Sequence, residues 1–247
     1  GKSMSGHSKW ANIKHKKEKT DAQKAKIFTK IGKEITLAVK SGGGDPNVNS
    51  KLRDLIAKAK SNNVPNDNIE RCIKKAQGMQ DVNFEEVVYE GYGPAGVAVM
   101  VEATTDNRNR TAGDVRHYFD KFGGNMGQTG CVGYMFEPKG QIIIEDEDGE
   151  IDEDKLMETA LEAGAEDFAG EDGVYEITTE PDDVYAIKDA LEAAGYTISS
   201  AEQTKLPTTY VTLENEDDIK HMGLLLEFLE DNDDVINVYH NWENQED

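Results

Sequence analysis

The residues best suited to chemistry in this chain are its N-terminal lysines. Lys9, Lys14, Lys16, Lys17 and Lys19 form a dense run around Trp10, with His7 and His15 nearby. Lys26, Lys30, Lys33 and Lys40 then recur opposite an Ile/Phe stripe when the segment is wound as a helix. Leu37 falls among them, and Lys24 falls on the apolar side. Lys51, Arg53, Lys58, Lys60, Arg71, Lys74 and Lys75 follow. Ammonium groups in such number neutralise phosphates and release condensed counterions, and Trp10 can stack on an exposed base or sugar. Residues 1–80 carry 18 Lys+Arg against 7 Asp+Glu, a net of +11, whereas residues 81–247 carry 9 against 42, a net of −33. Any one of these helices could be a solvated face. A +11 segment in a chain of net charge −22 points instead to a polyanion-binding head on a body that polyanions avoid. Lysine outnumbers arginine 16 to 2 in this head. A point charge suits phosphate, and the arginine fork suits guanine, so backbone binding is favoured over base readout. The candidate nucleic-acid-binding set is Lys9, Trp10, Lys14, Lys16, Lys17, Lys19, Lys26, Lys30, Lys33, Lys58, Lys60, Arg71, Lys74 and Lys75.

A second basic site interrupts the acidic body. "TTDNRNRT" (104–111) places Arg108 and Arg110 at the start of a helix, whose free N–H groups favour anions. Two readings stand: Arg108 and Arg110 bind phosphate, or they pair with local carboxylates while Asn109 or Thr111 caps the helix. Other motifs lead to less. "GYGPAG" (91–96) matches G-x-G-x-x-G but leads into a strand, which a dinucleotide site does not do. The kinase glycine loop joins two strands but needs a strand lysine and further elements that this chain lacks. Gly149 in "EDEDGEIDEDK" places Ile144 and Lys155 where an EF-hand needs ligands, so the run is expected to be a turn and a carboxylate-rich helix start. Five histidines and two distant cysteines show no metal-ligand spacing, and no nucleophile motif is visible. The expectation is no catalytic residue, no metal and no cofactor, with Cys72 and Cys131 as reduced structural thiols.

The elements that must position the lysines follow from periodicity. Thr20 with Gln23 is a capping-box pattern, and Ile27, Phe28, Ile31, Ile35 and Ala38 make one stripe. Asp45 offers an N-cap and Pro46 a first position for a second helix, with Val48, Leu52, Leu55, Ile56 and Ala59 along it. Ile69, Cys72, Ile73 and Ala76 mark a third, ending at Gly78. Three such helices bury their stripes only against one another. Strands are expected at "EEVVYEGY" and "GVAVMVEAT", a helix from about 111 to 122, a flexible loop at "GGNMGQTG" and a strand at "CVGYMF". Then come strand "GQIIIED", helix "DEDKLMETALEAGAEDF", strand "GVYEITTE", helix "PDDVYAIKDALEAAGY" and strand "TISSAEQTKLP". The two helices echo one another, as in a split β-α-β unit. "TYVTL", a helix and "VINVYHNW" close the chain. Residues 137–206 thus form either an insertion or a tandem domain. No apolar run is long enough to span a bilayer, and the N-terminus lacks a signal-peptide core, so a cytoplasmic protein is expected. Gly1–Ser3 precede a Met4 that has the look of a true start, so they are expected to be a cloning remnant.

Six segments in order, "GHSKWANIKHKK", "AKIFTKIGKEI", "NVPNDNIERCIKKA", "YEGYGPAGVAV", "TDNRNRTAGDVRH" and "GGNMG", resemble the signatures of the YebC family. These are bacterial proteins described as transcriptional regulators, with a mitochondrial translational activator among the relatives. The resemblance covers the chain from Met4. It implies an α+β, multidomain fold: a basic N-terminal three-helix bundle (1–82), a discontinuous α+β domain (83–136 with 207–247), and a third, ferredoxin-like domain (137–206) inserted in the second. It implies non-enzymatic, nucleic-acid-linked regulation, with DNA-binding transcriptional control first and RNA or ribosome association as the alternative. A protein-binding adaptor using the acidic domains is a further class. Cys72 and Cys131 depart from the family's usual small residues.

Overall fold

The computed structural model describes residues 19–245. They form two compact units: 19–135 with 209–242, and Phe136–Thr208 with 243–245.

The first unit begins with three helices, α1 (Asp21–Gly42), α2 (Ser50–Ser61) and α3 (Asn66–Gly78). Thr20 and Gln23 cap α1 reciprocally, as their spacing predicts. The core joins Ile31, Ile35, Ala38 and Val39 of α1 to Leu52, Leu55 and Ala59 of α2 and to Ile69 and Ala76 of α3. The first turn of α1 runs out beyond this core, so Lys24 is exposed despite its place on the apolar side of the wheel. The second helix starts later than expected. Asp45 Oδ1 accepts from the Asn47 amide in a turn (2.9 Å), and Val48 is 78% exposed. Asn49 is the true cap of α2. Its Oδ1 accepts from the Leu52 amide (3.1 Å), and its Nδ2 donates to the Ala38 and Gly43 carbonyls (2.9 and 2.8 Å). One buried side chain thereby satisfies the start of α2 and the end of α1.

The rest of this unit is an antiparallel sheet ordered β3-β1-β2-β8: β1 (Glu85–Tyr92), β2 (Ala98–Thr105), β3 (Asn125–Met126) and β8 (Val235–His240). Helices α4 (Arg108–Lys121) and α7 (Glu216–Asp231) bury Val115, Phe119, Met222, Leu225 and Leu229 against Val99 and Val101. The glycines of "GYGPAG" have packing reasons. A Cβ on Gly91 would lie 2.6 Å from the Asn125 carbonyl, one on Gly93 would lie 2.6 Å from Met222 Sδ, and Gly96 has φ +83°. The loop after β3 is pinned: the buried Glu90 carboxylate accepts from the amides of Gly130 (2.6 Å), Val132 (3.2 Å) and Gly133. "CVGYMF" is not a strand throughout, since Gly133–Met135 is a 3-10 turn and pairing starts at Phe136. "TYVTL" contributes only a single bridge, Val211 to Trp242.

The second unit runs β4 (Phe136–Glu145), α5 (Glu153–Glu162), β5 (Asp167–Glu171), β6 (Val174–Thr179), α6 (Val184–Ala193) and β7 (Ser200–Pro207). Its sheet order is β5-β6-β4-β7, all antiparallel. This β-α-β-β-α-β order is ferredoxin-like. Strand β5 lies where the sequence predicts the end of a helix. The helix stops at Glu162, Gly164 turns the chain at φ +111°, and Asp172-Gly173 makes the β5–β6 hairpin with both residues at positive φ. The acidic run is a turn, as expected: Asp146 accepts from the amides of Glu150 and Ile151, and Asp152 caps α5.

Candidate nucleic-acid interface

The basic residues divide by what their charged ends touch. Lys9, Trp10, Lys14, Lys16 and Lys17 lie outside the described residues. Lys19 is exposed just ahead of α1. The α1 row that the sequence leaves free is instead seated on the C-terminal end of α7 and the turn that leads to β8. Lys26 Nζ donates to the backbone carbonyl of Asp231 and to its carboxylate (2.8 Å), with Asp233 at 3.6 Å. Lys30 Nζ donates to the Glu230 carbonyl (2.7 Å). Lys33 Nζ donates to the Asp233 carbonyl (3.0 Å) and reaches the Asp234 carboxylate (3.3 Å). The hydrogen bond to Asp231 raises the pKa of Lys26. Burial pushes Lys30 down to about 8, and neighbouring Lys26 adds to the effect.

Asp234 is the centre of this contact. Its carboxylate is buried and accepts from Arg110 (3.0 and 3.1 Å) and from the Thr111 hydroxyl (2.9 Å). Burial alone would raise its pKa; the bonds from Arg110 and Thr111, with Lys33 adding attraction, hold it below the usual carboxylate value. Arg110 also pairs with Asp106 (3.0 Å). Arg108 faces Glu85 at 3.6 Å. Both arginines therefore meet carboxylates, and Asp234 also accepts from the Thr111 hydroxyl in the first turn of α4. The cap of α4 is Asn107, whose Oδ1 accepts from the Arg110 amide, rather than Asn109 or Thr111. An open cleft of about 410 Å³ lies here, lined by Lys33 and Arg110 and by the carboxylates of Asp106, Asp114, Asp233 and Asp234.

Elsewhere in the bundle Lys58 pairs with Glu34 (2.8 Å), Lys51 pairs with Glu86 (2.6 Å), and Lys40 donates to the Met79 carbonyl. Four candidate cations stay exposed. Arg71, Lys74 and Lys75 follow i, i+3, i+4 spacing on one face of α3, away from Ile69 and Ala76. Lys60 ends α2. Among the described residues none of the four has a carboxylate partner; Arg71 donates only to Asn68 (3.3 Å). Lys60 and Lys75 also complement the negative ends of their helices. The carboxylates at 231–234 escaped sequence reasoning. The one signal was "EDNDD" between a helix and a strand, opposite no visible partner.

Among the described residues no group of three or more His, Cys, Asp or Glu is placed to hold a metal ion. No helix there is long and apolar enough to cross a membrane. Cys72 and Cys131 are free and half-buried. Burial, with Glu90 nearby, pushes the Cys131 thiol up, away from the reactive thiolate.

A basic three-helix head, a four-stranded α+β sheet domain and a ferredoxin-like unit define the class: a multidomain α+β protein whose N-terminal third of the sequence carries most of its basic residues. Residues 8–79 match the family described as the TACO1/YebC protein N-terminal domain, and residues 84–242 match the TACO1/YebC second and third domain. The chain belongs to the TACO1/YebC family. It is 62% identical to a "Probable transcriptional regulatory protein" of Acetivibrio thermocellus, over 97% of this chain and 99% of the relative. A protein of the same description from Ruminiclostridium cellulolyticum is 60% identical over 98% of each chain. The crystal structure of a conserved hypothetical protein, Aq1575 from Aquifex aeolicus, superposes with a TM-score of 0.80 at 47% identity, over 95% of this chain and 96% of that one.

Proposed function

We propose that this protein regulates gene expression as a non-enzymatic DNA-binding protein, holding duplex phosphates with the exposed face of α3. The observation that carries the reading is the row Arg71, Lys74 and Lys75, with Lys60 nearby in sequence, exposed and without a carboxylate partner among the described residues. The names of the relatives support transcriptional control. Lys9, Trp10, Lys14, Lys16, Lys17 and Lys19 are proposed as further nucleic-acid contacts on the strength of the sequence alone. Arg108 and Arg110 do not, because their guanidinium groups already meet carboxylates. The cytoplasm is the proposed location.

Fluorescence anisotropy with random-sequence duplex DNA across a salt series tests this. Each phosphate contact contributes a slope of roughly −0.9 in log affinity against log salt. Replacing Arg71, Lys74 and Lys75 together by alanine should flatten the slope by about 2 to 3. An unchanged slope overturns the assignment to α3. Tight binding to structured or ribosomal RNA without duplex binding moves the reading to an RNA- or ribosome-associated factor, which presents the same phosphates.

A further inference from the structure

We infer that residues 230–233 form an electrostatic latch that occupies a second phosphate-binding track on α1, and that nucleic acid displaces it. Three lysines spaced four and three residues apart (Lys26, Lys30, Lys33) line one side of α1 over about 10 Å. The segment they meet offers a phosphate-like series of acceptors: the carbonyls of Glu230, Asp231 and Asp233 and the carboxylates of Asp231 and Asp233. An acidic helix end and turn lying along a lysine row repeat the charge pattern of a nucleic-acid backbone.

The contact is built to open at its outer end. The Asp231 and Asp233 side chains are 75% and 78% exposed, and pairs so exposed to water are weak and screened by salt. The seat also suits Lys30 poorly: its ammonium is held among protein atoms with a carbonyl as its acceptor and Lys26 beside it. Asp234 differs. It is buried and tied to Arg110 and Thr111, so it anchors the base of the segment while 230–233 moves. An open latch adds Lys26 and Lys30 to the exposed cations of α2 and α3, while Lys33 stays with the anchored Asp234.

The inference rests on the DNA-binding reading, and its test separates the two. The Asp231→Asn/Asp233→Asn variant removes two exposed carboxylates and leaves Asp234 in place. The control is Glu214→Gln/Asp217→Asn, which makes the same charge change at exposed positions away from the lysine row. The latch variant should bind duplex DNA several-fold more tightly than the control. Its salt slope should steepen by about 2, as Lys26 and Lys30 join. Adding Lys26→Ala, Lys30→Ala and Lys33→Ala should abolish that gain. Equal behaviour of the latch variant and the control overturns the latch. A second readout needs no nucleic acid: limiting acetic anhydride followed by peptide mass spectrometry. Faster acetylation of Lys26 and Lys30 in the latch variant supports opening, and equal rates overturn it. If no protein binds DNA, the binding reading falls and the acetylation result alone decides whether the segment opens.

Discussion

Replacing Lys30 by methionine should stabilise the protein at neutral pH, although it removes a charge from a basic helix. The ammonium has an ordinary pKa of 10.5 and is held at about 8 in the folded chain. Burial is the main cause, Lys26 adds repulsion, and Glu230, Asp231 and Asp233 only partly offset both. The folded pKa is below the unfolded one, so between pH 8 and 10.5 the unfolded chain binds more protons and stability rises with pH. Below pH 8 both states hold the proton and the whole penalty stands, at most about 3 kcal/mol before solvent screening reduces it. Methionine fills similar space without it. The loss is the bond to the Glu230 carbonyl, worth about 1–1.5 kcal/mol. The variant should therefore gain about 2 kcal/mol at pH 7, an upper figure because side-chain relaxation reduces burial penalties. Urea unfolding of both proteins at pH 7 and pH 10 measures the difference, in which all shared titrations cancel. It should shrink by about 2 kcal/mol between the two pH values. A variant less stable than the parent at pH 7, or a difference that does not change with pH, refutes the reasoning.

Two further substitutions probe the contacts that hold the first unit together. Asn49→Ala should cost about 2–3 kcal/mol by urea unfolding, from a lost cap and from two carbonyls left without their donor; a cost below 0.5 kcal/mol would mean that water replaces Asn49 in full. Asp234→Ala should cost about 2–4 kcal/mol, since it leaves Arg110, Thr111 and Lys33 without their shared acceptor, with the lower end favoured because Arg110 is half exposed. Asp234 has its pKa held below the ordinary 3.8, so its contribution is present above that value and is lost as pH falls through the folded pKa. Acid unfolding curves should show the parent losing this component below pH 4 and the variant lacking it.

What the sequence made legible was local. Thr20 and Gln23 stand three residues apart, and the cap they form needs nothing else. The stripes of α1 and α3 need only the 3.6-residue period. Asn49 was missed because half of its work is done on carbonyls eleven and six residues back, where an Asp-Pro pair gave a stronger local signal for a helix start. Strand β5 was missed because "AGAEDF" continues a helical composition. Asp172-Gly173 was the available hairpin signal, and it marks the end of β5 rather than its beginning. The site depends still more on distance along the chain. Lys26, Lys30 and Lys33 find their partners 200 to 205 residues away, and no periodicity in α1 announces a covering segment.

That distance changes what the head's net charge of +11 can mean. A count of basic residues treats every ammonium as free. Among the described residues Lys26, Lys33, Lys51 and Lys58 reach carboxylates, and Lys30 and Lys40 donate to carbonyls. The counter-charge for two of the α1 lysines comes from the acidic body, so body and head are not separate electrostatic objects. Lys60, Arg71, Lys74 and Lys75 set the scale of what remains on α2 and α3. Four phosphate contacts give a salt slope near about −3.6. A wild-type slope much steeper than this requires further cations, from the latched row on α1, from Lys19 and Lys24, or from the lysines before residue 19. The slope of the variant lacking the α1 lysines, measured beside the wild type, apportions the excess between the latched row and the rest.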